Sequence, residues 1–120
     1  MMTVQKIAER LVELCRKGDF ETAQKELYAQ DVVSIEPFAT DNFEKESKGL
    51  DHIIEKGHKF ESLVEEMHEM TVSDPLIAGN IIAFSMMMDL TTKDRGRSRW
   101  EELCVYTVKD GKIIAEQFFM

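Results

Sequence analysis

The chain has 120 residues, 43% of them hydrophobic and 32% charged, with 23 acidic against 15 basic side chains and a formal net charge of -8. A single domain over residues 1–120 buries about two-thirds of its unfolded surface and needs no metal or disulfide for its core, and the apolar content excludes a wholly disordered chain. The acid surplus argues against nucleic acid and no apolar run approaches the roughly 18 residues of a membrane span, so neither nucleic acid nor membrane is expected as a partner. Cys15 and Cys104 are far apart in sequence and read as reduced thiols. With Glu9 and Arg10 interrupting any N-terminal apolar region, a cytoplasmic location is expected.

Val4, Ile7, Leu11, Leu14 and Cys15 recur at helical spacing; Thr3 can cap that helix and Gly18 suits the position beyond its end. Asp19 can then cap a short second helix carrying Phe20, Ala23, Leu27 and Tyr28. The pattern changes at Asp31–Glu36, a strand stopped by Pro37. Phe38 to Lys48 is polar and reads as a loop of the kind that often lines sites. Helical spacing returns from Gly49 at Leu50, Ile53, Ile54, Phe60, Leu63 and Val64. Gly57 inside this helix costs about 1 kcal/mol relative to Ala, which close packing against a neighbour would explain. Strands follow over about Glu66 to Val72, Ile81 to Thr92, Arg97 to Val108 and Lys112 to Met120. The turn signals between them are Ala78-Gly79-Asn80, Lys93-Asp94-Arg95-Gly96 and Lys109-Asp110-Gly111. Short turns imply an antiparallel meander, and helices before strands imply an α+β fold with the helices on one face of the sheet.

Two stretches carry a family resemblance. One is Gly18-Asp19-Phe20-Glu21 with Leu27-Tyr28-Ala29-Gln30-Asp31-Val32-Val33-Ser34-Ile35-Glu36-Pro37. The other is Val105-Tyr106-Thr107-Val108-Lys109-Asp110-Gly111-Lys112-Ile113-Ile114-Ala115-Glu116. With the order of elements, they make the whole chain resemble the nuclear-transport-factor-2-like superfamily, and within it the SnoaL-like polyketide cyclase and ketosteroid isomerase branch. The resemblance implies a cystatin-like cone: three N-terminal helices on a curved, mainly antiparallel sheet around an apolar cavity. It also implies a homodimer through the outer sheet face. Activity does not follow from the fold, which carries isomerases, dehydratases, cyclases, hydrolases and non-catalytic adaptors.

Side chains alternate faces along a strand, so one anchor sets the parity of the rest. Along Arg97 to Val108 the even positions hold both aromatics, Trp100 and Tyr106, and are turned inward with Glu102 and Cys104; the resemblance agrees, because the isomerase's inward sheet acid falls at Cys104. The same rule turns Ile82, Phe84, Met86, Met88 and Leu90 inward on the preceding strand, and Ile114, Glu116, Phe118 and Met120 on the last. It places His68 inward with Met70 and Val72, and Glu36 on the face of Val32 and Ser34. Met87, Leu103 and Val105 then face outward, where they suit a dimer interface.

The expected site is thus an apolar pocket for a small hydrophobic molecule, with Glu36, His68, Glu102 and Glu116 as catalytic candidates and Phe84, Met86, Met88, Trp100, Tyr106 and Phe118 as ligand contacts. A carboxylate in such surroundings is raised in pKa, as a base that takes a proton next to a carbonyl requires. The Ile35-Glu36-Pro37 context matches the isomerase's catalytic acid, with Glu for Asp. The alternatives stay open at each position: Glu36 as a strand-end carboxylate in solvent or paired with a Lys, His68 as a hydrogen-bonded rim residue, Glu102 and Glu116 as carboxylates satisfied by neighbours, Trp100 and Tyr106 as core. The isomerase's oxyanion residues correspond to Leu11 and Cys104, which speaks against steroid isomerisation of that type, and the Asp-Arg-Asp set of related epoxide hydrolases has no counterpart. No cofactor is expected, and neither HExxH nor paired cysteines suggest a metal. Three functions remain: a cofactor-free isomerase, cyclase or lyase acting on a small apolar carbonyl compound, a non-catalytic ligand-binding module, or a dimerisation domain with a filled cone.

Overall fold

The structure is a computed structural model that describes residues 1–120. Its first helix, α1 (Val4–Arg16), buries Ile7, Ala8, Leu11, Val12, Leu14 and Cys15 along one face. Thr3 opens it by accepting a hydrogen bond from the Lys6 backbone N–H at 3.2 Å. It ends in a Schellman arrangement, in which the Gly18 N–H donates to the Cys15 carbonyl and the Asp19 N–H to that of Leu14. That ending needs the left-handed backbone that Gly18 adopts, with φ 75°. Helix α2 (Phe20–Leu27) follows at once, and Asp19 precedes it without a side-chain capping bond. Tyr28 begins strand β1 (Tyr28–Ile35) rather than closing the helix.

The expected loop over Phe38 to Lys48 contains a short strand, β2 (Glu46–Lys48), ahead of α3 (Leu50–Leu63). Then come β3 (Val64–Val72), β4 (Leu76–Ala78), β5 (Ile81–Thr92), β6 (Gly96–Lys109) and β7 (Lys112–Phe119). The sheet order is β2-β1-β7-β6-β5-β3, and β4 shares the outer edge of β5 with β3. The β5–β6–β7 meander is antiparallel, whereas β1 lies parallel to β7. A two-residue turn at Asp110 (φ 51°) and Gly111 (φ 76°) joins β6 to β7, the conformation expected of a tight hairpin. The helices and the sheet's inner face enclose the core, with Ile7, Leu11, Leu27, Ile53, Ile82 and Leu90 fully buried.

Register decides which side chains turn inward. β5 and β6 pair without interruption from Ile81↔Thr107 to Thr92↔Gly96, so the alternation holds along both. On β3 it fails, because pairing passes from Met67↔Leu90 to Glu69↔Asp89 and leaves His68 as an extra residue. The bulge turns His68 to the outer face, where it meets Thr91 at 2.7 Å and Glu66 at 2.5 Å; this corrects the inward placement. A second bulge, between Thr107↔Ala115 and Val108↔Ile113, leaves Ile114 unpaired and makes Ile113 the buried residue in its place.

Two packing expectations are also corrected. A Cβ on Gly57 would meet nothing within 4 Å, so close packing does not explain that glycine. It borders an internal cavity instead. Phe84 does not reach that cavity either; it is buried and stacks on Tyr106 with ring centroids 5.4 Å apart. Truncating a ring there removes both buried area and the stacking contact. Phe84→Ala is expected to lower stability by about 3–5 kcal/mol, measured by denaturant unfolding.

Candidate functional site

A cavity of about 280 Å³ opens between the three helices and the inner face of the sheet. Its walls are apolar. Met86 and Met88 come from β5, Trp100 and Tyr106 from β6 and Phe118 from β7, while Ile53, Ile54 and Phe60 approach from α3. The Tyr106 ring stacks on Phe84 and meets the edge of Phe118 at 6.5 Å, which holds its plane fixed. Trp100 is anchored at both ends, its ring 5.8 Å from that of Phe60 and its indole N–H donating to Ser98 Oγ at 2.8 Å. The segment after β1 also lines the cavity, contributing Pro37, Phe38, Thr40 and Phe43. Lys59 Nζ donates to the Asn42 carbonyl at 2.5 Å, and the Asn42 side chain donates to Asp94 at 3.0 Å, so this segment is tied to both α3 and the β5–β6 turn.

Glu36, Glu102 and Glu116 all line this cavity, in three different settings. Glu116, on β7, is 4% exposed. It accepts hydrogen bonds from Tyr28 Oη and, at 2.6 Å, from Ser34 Oγ. Burial raises its pKa above the ordinary carboxylate value, against the opposing pull of those two bonds. Because Ser34 spends its proton on Glu116, its oxygen can only accept, and Lys56 Nζ donates to it at 3.1 Å. The same ammonium donates to Glu36 Oε1 at 3.0 Å. One chain of hydrogen bonds thus runs from Tyr28 through Glu116, Ser34 and Lys56 to Glu36, linking β1, β7 and α3.

Glu102 stands outside that chain. Its one hydrogen-bond partner is the Cys104 thiol, 3.9 Å away. Burial, reinforced by repulsion from Glu36 and Glu116, pushes its carboxyl up to about 7. Glu102 is therefore partly neutral and partly ionised near neutral pH, the condition for both giving and taking a proton. The thiols are the reverse case. Burial pushes Cys15 up to about 12 and Cys104 higher still, so both are inert. No three His, Cys, Asp or Glu side chains are grouped so as to hold a metal ion.

Of the expected site residues, His68 and Phe84 lie outside the cavity; Glu36, Glu102, Glu116, Met86, Met88, Trp100, Tyr106 and Phe118 lie on it. Sequence reasoning missed Lys56 as a specific partner, as well as Tyr28. The signal for Lys56 was present: it sits three residues after Ile53 and four before Phe60, a single cation inside an apolar helical stripe. Tyr28 gave no such signal, because it stands at a helix-to-strand junction whose direction only the fold sets.

The Glu102 shift has a consequence for stability. The group titrates near 4.5 when exposed and near 7 when folded, so between those values the folded chain holds more protons than the unfolded one. Stability is therefore highest below about 4.5 as far as this group is concerned and falls as pH rises to 7, by on the order of 3 kcal/mol. Glu102→Gln is expected to flatten that part of the profile in unfolding measured across this pH range.

Comparison with known proteins places this architecture. The family model for the SnoaL-like domain matches residues 2–120. A Mesorhizobium loti protein, provisionally described as a SnoaL-like polyketide cyclase (carbohydrate phosphatase), is 32% identical with a TM-score of 0.91, over 99% of this chain and 100% of that one. A Xanthomonas campestris protein of unknown function with a cystatin-like fold is 16% identical, TM-score 0.83, over 98% and 90%. A nuclear-transport-factor-2-like protein of unknown function from Burkholderia pseudomallei is 14% identical, TM-score 0.78, over 100% and 92%. No curated protein matches the sequence. The three helices on a mixed, mostly antiparallel sheet are the cystatin-like α+β cone, and the chain belongs to the SnoaL-like family of the nuclear-transport-factor-2-like superfamily.

Proposed function

We propose that the protein is a cofactor-free isomerase, cyclase or lyase acting on a small apolar carbonyl compound, with Glu102 as its acid/base group. The observation that carries this reading is an unpaired carboxyl, titrating at about 7, on the wall of an apolar cavity. The polyketide-cyclase description of the 32%-identical relative supports the same class of chemistry. Ionised Glu102 takes a proton from the carbon next to the carbonyl; the resulting acid returns it at another carbon or to the oxygen. The oxygen that gains charge needs a donor. Lys56 spends two of its three N–H groups on Ser34 and Glu36, and the third is available for that oxygen.

This reading moves the base from Glu36 to Glu102. Glu36 is ion-paired to Lys56 and only 27% exposed in its side chain, which suits it to hold the ammonium in place. Glu116, satisfied by Tyr28 and Ser34, anchors the other end of the same chain. The second reading, a ligand-binding module without chemistry, is favoured by this satisfaction of two of the three carboxylates. Unpaired Glu102 counts against it. The open volume counts against a filled, purely structural cone.

The test is solvent-deuterium exchange at the carbon next to the carbonyl of 1-tetralone, followed by proton NMR. Wild type is expected to exceed buffer by at least tenfold, Glu102→Gln to lose about a hundredfold or more of the enhancement, and Glu36→Gln less. A Glu102→Gln variant as fast as wild type, or a wild type no faster than buffer across a panel of aryl ketones, removes the acid/base claim.

A homodimer through the outer sheet face is part of the same proposal. Leu103 and Phe119 are paired neighbours on β6 and β7, 44% and 48% exposed. Met87 is already buried within one chain and adds little to such an interface. Leu103→Asp is expected to convert a dimer to monomer in sedimentation equilibrium; identical masses for wild type and variant would sink this interface.

A further inference from the structure

Each polar side chain along the cavity's hydrogen-bonded chain has a protein partner. Glu36 has Lys56, Lys56 has Ser34 as well, Glu116 has Ser34 and Tyr28, and the Trp100 indole has Ser98. Glu102 has no Lys, Arg or His within ion-pair distance, and a thiol at 3.9 Å is a weak donor. The charges that bear on it are Glu116 on neighbouring β7 and Glu36 just past β1, both acidic, and the positive charge of Lys56 is already matched by Glu36. The surroundings are otherwise apolar and aromatic, with Trp100 two residues along the same strand face and Met86 directly across on β5. A carboxylate so placed is incomplete, and a ligand that completes it must bring a donor and, to offset the local negative charge, a cation.

We propose that the cavity is a binding site for small apolar primary amines of the arylalkylammonium type, with the ammonium on the Glu102 carboxylate and the aryl ring between Trp100 and the methionine walls. The fit rests on three features. The volume of about 280 Å³ lies at the small end of ligand pockets and suits one ring with a short chain. Trp100, two residues along the same strand face, is the aromatic neighbour with which a cation held at the carboxylate can make a cation–π contact. Besides the three central acids, the cavity lining carries Glu21, Glu61 and Asp94 against Arg95 and His58, a balance that does not repel a cation. Binding completes an ion pair inside the cavity and releases the proton that Glu102 carries in the empty protein. This site goes beyond the carbonyl reading and does not depend on turnover.

Trp100 is the only tryptophan and lines the cavity, so its fluorescence reports occupancy directly. The probes are 2-phenylethylamine and its neutral counterpart 2-phenylethanol. At neutral pH wild type is expected to bind the amine at least tenfold more tightly than the alcohol. Calorimetry in two buffers of different ionisation enthalpy is expected to show a fraction of a proton released per amine bound and none per alcohol. Glu102→Gln is expected to keep alcohol binding, which shows the cavity intact, and to lose both the amine preference and the proton release. Glu101→Gln, an exposed position on the opposite face of the same strand, is expected to keep both. If Glu102→Gln does not fold, Glu102→Asp retains the charge and is expected to keep the preference at reduced strength. Equal affinity for the two probes, no amine binding at millimolar concentration, or an amine preference that survives Glu102→Gln overturns the proposal. Absence of deuterium exchange with 1-tetralone leaves it standing, and failure of amine binding leaves the acid/base reading standing, so the two outcomes separate.

Discussion

The buried carboxyl of Glu116 is the point from which the rest of the site is organised. A carboxyl group 4% exposed is costly unless hydrogen bonds compensate it, and both of its donors, Tyr28 and Ser34, come from β1. β1 is the strand that runs parallel to β7, and its register with β7 shifts between Tyr28 and Val33. That shift accompanies two β1 hydroxyls, six residues apart, meeting one β7 carboxyl. Ser34, having donated its proton, is left as an acceptor, and Lys56 of α3, which also lines the cavity, donates to it. Lys56 in turn requires an anion, which Glu36 supplies at the end of β1. The compensation of one buried acid thus fixes where a helix, two strands and the segment after β1 sit around the cavity.

Against this satisfied network, Glu102 is defined by what it lacks. It shares the cavity with Glu36 and Glu116, yet neither their cation nor their hydroxyl donors reach it. Two carboxyls of the same chemistry on neighbouring strands therefore behave differently: one is a fixed structural acceptor, the other a group poised to exchange a proton or to pair with a ligand. Environment rather than residue type assigns the roles, as expected where titratable groups share a low-dielectric site.

The sequence was a reliable guide where strand register runs unbroken. β5 and β6 pair residue for residue over their shared length, so period-2 alternation placed Met86, Met88, Trp100, Glu102 and Tyr106 on one face. It failed where one strand carries an extra residue, at His68 on β3 and Ile114 on β7, because a bulge reverses every orientation beyond it and leaves no mark in composition. Phe84 had the right parity but the wrong depth; alternation says which face a side chain is on, not whether another ring stands between it and the cavity. Gly57, expected to mark close packing, instead leaves open space at the cavity wall.

Local physics, legible residue by residue, determined the helices, the Thr3 cap and Gly18 ending of α1, the Asp110-Gly111 turn, the α+β order and the inward face of the β5–β6 ladder, because capping, turn conformation and alternation depend on neighbours in sequence. Only the tertiary structure decided that Tyr28, Ser34, Lys56, Glu36 and Glu116 form one chain of hydrogen bonds and that Glu102 is left out of it. Those partners come from β1, β7 and α3, 20 to 88 residues apart for the bonds that join different elements, and the desolvation that separates the two acids exists only once the helices close over the sheet.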